Sequence, residues 1–95
     1  MDASGRIEEL MRLSFAEVGE LPASSSQDVI DDEGEKSQLV TWREQLAPDL
    51  HRVVVSQHKL HGLGFSSLRS ARGFTISADG RIELLDPAET ERLLL

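Results

Sequence analysis

The stretch Lys36–His61, KSQLVTWREQLAPDLHRVVVSQHKLH, decides whether this chain is mainly helical. Leu39, Val40, Trp42 and Leu46 recur at helical spacing, which predicts a helix over 36–46. The pair Ala47-Pro48 interrupts it, because a residue before proline disfavours the helical region while proline suits a first helical position. A second helix is predicted from Asp49 to His61, turning Leu50, Val53, Val54 and Leu60 inward and ending at Gly62. The β-branched content of Arg52–Ser56 leaves a strand as the alternative there. Gly62, Gly64 and Ser66 mark a turn, after which Ser67–Arg72 is expected to make one or two helical turns ending at Gly73.

Next comes a hairpin whose loop length can be derived. A two-residue Asp79-Gly80 loop would set Ile76 against Glu83 and Phe74 against Leu85. A three-residue loop, Ala78-Asp79-Gly80, sets Ile76 against Ile82, Phe74 against Leu84, Thr75 against Glu83 and Ser77 against Arg81. Cross-strand partners share a face, so the second register wins, and it puts Gly80 at the left-handed position such loops require. Asp86, Pro87 and Glu89 then read as N-cap, first-turn proline and capping-box acid of a helix running to Leu95. Three successive leucines, Leu93, Leu94 and Leu95, span more than one narrow helix face, so one docking surface would leave at least one exposed.

Working back from Lys36, PASSSQDVIDDEGE (22–35) holds a serine run, five acids and only Val29 and Ile30 as sizeable apolar groups. It reads as a mobile acidic linker. Before it, Ile7, Leu10, Met11, Phe15 and Val18 form one stripe of an amphipathic helix over Arg6–Val18, with Ser4 as N-cap and Gly19 and Pro22 as the stop. The expectation is therefore an α+β fold, a small helical domain with a C-terminal β-hairpin followed by a short helix. Its parts are an N-terminal amphipathic helix (1–21), the linker (22–35), and helices, hairpin and C-terminal helix (36–95).

At 95 residues the chain has room for one domain, and with no cysteine it has no disulfide to reinforce it. It has neither an apolar run able to cross a bilayer nor the layout of a signal peptide, so a cytoplasmic location is expected. The net charge of −7 argues against simple adhesion to nucleic acid or an anionic membrane. That average hides a split. Residues 1–49 carry twelve acids against four bases, whereas residues 50–78 carry no acid but hold Arg52, Lys59, Arg69, Arg72 and all three histidines.

Most chemical motifs fail on inspection. His51, His58 and His61 would share one side of a helix, a geometry from which imidazoles bind zinc, but no carboxylate or thiol in the segment completes a site, and no metal or other cofactor is expected. With Gly34 in the glycine place of an EF-hand, the first and last ligands would be Val29 and Val40, which excludes calcium by that motif. Gly62-Leu63-Gly64-Phe65-Ser66 lacks the third glycine of a dinucleotide loop and the lysine of a phosphate loop. No serine sits where the sequence names its base, so a non-catalytic role is expected.

The segment Leu68–Leu85, LRSARGFTISADGRIELL, resembles the end of a winged-helix recognition helix with its wing, and Thr75, Ile76, Gly80, Arg81 and Ile82 resemble the hairpin of swapped-hairpin antitoxins. Ser66–Arg72 is shorter than a typical recognition helix, and Gly62 and Gly64 block its extension backwards. Two functions follow as expectations. The first is a regulatory or adaptor protein of the inhibitor, antitoxin or chaperone kind, binding a protein partner or a second copy as a homodimer through Ile7, Leu10, Met11, Leu93, Leu94 and Leu95. The alternative is a small winged-helix-like DNA-binding transcriptional regulator using Arg52, Lys59, Arg69, Arg72 and Arg81.

Overall fold

A computed structural model describes residues 2–30, 33–60 and 66–93. The chain is α+β, but it is dominated by a five-stranded antiparallel sheet instead of the expected small helical domain with only a C-terminal hairpin. The elements are α1 (Ala3–Leu10), α2 (Phe15–Gly19), β1 (Ser24–Ile30), β2 (Lys36–Ala47), β3 (Leu50–Leu60), β4 (Ser66–Ser77), β5 (Ile82–Leu84) and α3 (Pro87–Arg92). The strands lie in chain order, a meander. The longest dimension, 43 Å, is close to one β2 length, since twelve residues at about 3.3 Å each span roughly 40 Å.

The two helices expected over 36–46 and 49–61 are thus β2 and β3, and the helical turns expected over 67–72 belong to β4. In β2 the burial alternates: Ser37, Leu39 and Thr41 are buried while Gln38, Val40 and Trp42 are half-exposed. That is the two-residue period of a strand. β3 is the central strand, and Val53, Val54, Val55, Ser56 and Gln57, which alternate between its two faces, are all buried. Its three consecutive valines favour extended backbone, because β-branched side chains are stiff and fit a pleated surface. Pro48 and Asp49 make the turn between them, with Ala47 opposite Leu50. Ser24–Ile30, inside the stretch expected as a linker, pairs antiparallel with β2 along its whole length.

The hairpin register is as expected: Phe74 faces Leu84, Thr75 faces Glu83 and Ile76 faces Ile82. Gly80 has φ +88°, and the Ser77 N–H donates to the Arg81 carbonyl at 3.0 Å. The N-terminal helix divides in two because Ser14 starts a second one. Its hydroxyl accepts from the Glu17 N–H at 3.2 Å and the Glu17 carboxylate accepts from the Ser14 N–H at 3.0 Å. These bonds hold the Glu17 carboxyl below its usual range. Asp2, not Ser4, caps α1, accepting from the Gly5 N–H at 2.8 Å.

Cross-strand partners sort the side chains onto two faces. One carries Leu39, Val53, Val55, Phe74 and Ile76, and on it α1 and α2 lay Ala3, Ile7, Leu10 and Val18 to close the core. The other carries the Trp42–Val54–Gly73 row. There α3 packs on β4, with Thr90 fully buried. At Gly73 the backbone is close enough that a Cβ would lie 2.8 Å from Leu85 Cδ1, so the missing side chain is what lets Leu85 and α3 settle on the sheet.

Candidate functional site

The short helix α3 covers only the β4 side of its face, leaving a groove over β2 and β3. Val54 and Trp42, neighbours across the β2–β3 pair, line it together with Glu44, Arg52 and His58, and Leu93 at the end of α3 lines it as well. Its volume is about 560 Å³, within the usual range of ligand clefts. Leu93 is 52% exposed. Asp86 starts the helix that carries it, accepting from the Ala88 N–H at 2.8 Å, with Pro87 in the first turn. Glu44 and Arg52 form an ion pair within the groove, and Arg43, which also lines it, donates from Nε to the Leu21 carbonyl at 2.8 Å.

Ser56 and His58 stand two residues apart on the same face of β3, with Ser56 Oγ 2.7 Å from His58 Nε2. The sequence reading found no base for any serine, because it took this stretch as helix, where residues i and i+2 point apart; on a strand they share a face. The pair does not meet the requirements of nucleophilic catalysis. Ser56 is fully buried, and no carboxylate hydrogen-bonds to the His58 ring among the described residues. What the bond does is fix the rotamer of an imidazole that lines the groove.

The same strand geometry separates the histidines. His51 lies seven residues from His58, an odd spacing that sends it to the opposite face, where it is 5% exposed with its ring centroid 4.8 Å from that of Phe15. Its Nδ1 is buried without a hydrogen-bond partner among the described residues. Burial, and secondarily the nearby Arg43 charge, hold its pKa below the usual histidine value. His61 lies outside the described residues. Among those residues no cluster of three metal-ligating side chains occurs.

Of the side chains expected to bind protein, Ile7 and Leu10 are buried in the chain's own core and Met11 packs half-buried against it. The stripe that looked available for a partner is used to cover the sheet. Leu93 does reach a groove, while Leu94 and Leu95 lie outside the described residues. The five bases expected to bind nucleic acid do not form one face. Arg52 shares a face with Thr75, whereas Arg72, paired with Val55, is on the opposite one. Arg52 pairs with Glu44, Lys59 with Glu35, Arg69 with Glu33 at 3.8 Å and Arg81 with Glu83 at 3.2 Å, and Arg72 donates to the Ala71 carbonyl at 2.8 Å. Residues 66–72 are strand, so the helix order of a winged-helix module is not present.

Compared with models of protein families, with curated proteins and with solved structures, the chain matches none. Among the described residues no helix is long and apolar enough to cross a membrane.

Proposed function

We propose that this chain is a non-catalytic regulatory or adaptor module that binds an apolar segment of a protein partner in the groove between Trp42 and Leu93. The observation that carries this reading is a sheet face left half uncovered, with the chain's only tryptophan in the open half and an exposed leucine among the groove's other lining residues. Tryptophan beside a desolvated aliphatic floor is the composition that concentrates binding energy at protein interfaces. The internal Glu44–Arg52 pair favours an uncharged insert over a charged one, because a charged ligand would have to compete with a partner already in place.

A single tryptophan makes the test specific. Affinity capture from the source cell by the intact chain, beside Trp42→Ala and Leu93→Ser, is expected to recover a protein that both variants lose. Adding the purified protein to the intact chain is then expected to shift Trp42 emission to the blue as water leaves the ring. Capture unaffected by either substitution, or emission that does not move, would refute the groove as the binding surface. Salt-sensitive binding to duplex DNA, lost in Arg69→Ala and Arg72→Ala, would overturn the proposal in favour of nucleic acid.

A further inference from the structure

The outer edge of β1 offers a second surface that is independent of the groove. The Arg43 N–H donates to the Ala23 carbonyl at 3.0 Å, so Ala23 and Arg43 are a hydrogen-bonded pair of the antiparallel ladder. Such pairs alternate along a strand, and β1 runs against β2 without a register shift from Ser24 to Ile30. Ser25, Gln27 and Val29 therefore spend their main-chain groups on β2. Ser24, Ser26, Asp28 and Ile30 turn theirs outward, where no strand meets them among the described residues. This edge is seven residues long, with no proline, no lysine and no bulge, and Asp28 is the single charge on it, so most of the devices by which edges are normally blunted are missing. The opposite edge, on β4, is protected. β5 and α3 occupy one end of β4, and a register shift at Gln57/His58 with Arg69 and Arg72 disrupts the other.

We infer that two copies of this chain join through β1, antiparallel about a two-fold axis at Gln27, into one continuous sheet. In that register Ser26 of one copy meets Asp28 of the other and Ser24 meets Ile30, so all four outward-facing residues exchange both main-chain bonds. The alternatives are poorer. An axis at Ser26 strands Ile30, and an axis at Asp28 sets two carboxylates against each other. With the axis at Gln27, each Asp28 instead faces a serine hydroxyl able to donate to it. Glu33 and Glu35, in the adjoining turn, are already paired with Arg69 and Lys59, which lowers the repulsion between two acidic molecules. What repulsion remains is screened by salt, so association tightens as ionic strength rises.

The register fixes the test, which uses the whole chain and needs no background cysteine removed, since there is none. Sedimentation equilibrium is expected to show a concentration-dependent dimer that Leu93→Ser leaves intact, separating this interface from the groove. Gln27→Cys is expected to form an intermolecular disulfide under mild oxidation, because a non-hydrogen-bonded pair brings its two Cα atoms within about 4.5 Å. Ser25→Cys and Val29→Cys are expected not to, since each would lie four residues, roughly 13 Å, from its own copy. Ser26→Pro removes an outward N–H without touching the β1–β2 ladder, and by symmetry it removes two bonds. It is expected to weaken the dimer roughly tenfold or more with an unchanged circular dichroism spectrum. A monomer at hundreds of micromolar, equal crosslinking at all three cysteine positions, or a folded Ser26→Pro variant that dimerises normally would each overturn the proposal. Should Ser26→Pro unfold, the cysteine series decides alone.

Discussion

Replacing Gly73 with alanine adds a single methyl group to the strand beneath α3, and the structure specifies what it would strike. A Cβ there would lie 2.8 Å from Leu85 Cδ1, 2.9 Å from the Val53 carbonyl oxygen and 3.3 Å from Val54 Cγ2. Comfortable carbon contacts begin near 3.5 Å. The Leu85 methyl can swing aside, but the Val53 oxygen belongs to the backbone of the central strand and cannot move without disturbing the ladder on either side. Overpacking of this kind costs about 1–3 kcal/mol, and alanine returns roughly 0.5–1 kcal/mol by reducing the freedom of the unfolded chain. Because the Val53 oxygen cannot give way, the cost falls in the upper part of that range, and the expected net loss is about 1–2 kcal/mol. In urea unfolding followed by Trp42 fluorescence, with a slope of about 1 kcal/mol per molar for so small a protein, the midpoint should fall by about 1–2 M. Gly73→Ala combined with Leu85→Ala should not restore the loss, because the backbone clash persists. Gly73→Ala with an unchanged or higher midpoint would refute the account of α3 seating, and with it the origin of the groove wall at Leu93.

Two further outcomes are expected. His51 titrates below its ordinary value in the fold, so the unfolded chain takes up its proton first as the solution is acidified; the stability held above about pH 6.5 is lost as pH falls through that value toward the lower folded pKa. Melting temperatures recorded from pH 8 to pH 5 should decline less steeply in His51→Leu, which also removes the orphaned Nδ1, and identical profiles would sink the assignment. Asp86→Ala removes the cap of α3 and should cost about 1 kcal/mol while exposing Trp42 to a collisional quencher, since Leu93 loses its support; unchanged quenching would show that α3 does not wall the groove.

How much of this was legible in the sequence depended on how local the deciding contact was. The β4–β5 register followed from residues within a dozen positions of one another, and the cap and proline of α3 from adjacent ones. The strands β2 and β3 were misread for a physical reason. Leu39, Val40 and Trp42 fit both a helical stripe and the two faces of a strand, and Val53–Val55 shows no alternation because Val54, at the floor of the groove, is nearly as buried as Val53 and Val55 on the core face. A better signal was present in Val53-Val54-Val55 itself, where three β-branched residues in a row weigh against helix. The exposed, serine-rich β1 gave no apolar pattern at all; main-chain bonds to β2 hold it, and no side chain announces those. The groove was out of reach because Trp42 and Leu93 come to line one groove only after four strands and a helix are in place, and because Ser56 and His58 converge only on extended backbone.

The charge split between the two halves of the sequence has a structural consequence in the folded chain. Acids of the β1–β2 hairpin and bases of the β3–β4 hairpin are brought together by the meander. Glu44 meets Arg52 across the β2–β3 pair, and the turn that carries Glu33 and Glu35 reaches Arg69 and Lys59. Each pair is at least partly exposed, so none contributes more than about 1 kcal/mol and together they do not explain why the sheet is stable. Their effect is on choice of register. Slipping β3 by one residue along β2 would turn Val53 and Val55 out of the core and would also set Glu44 opposite a histidine or a valine in place of Arg52. The hydrophobic pattern and the charge pattern thus favour the same pairing. Three of the four bases of residues 50–78, Arg52, Lys59 and Arg69, thus pair with acids that precede them in the chain, while Arg72 donates to the Ala71 carbonyl.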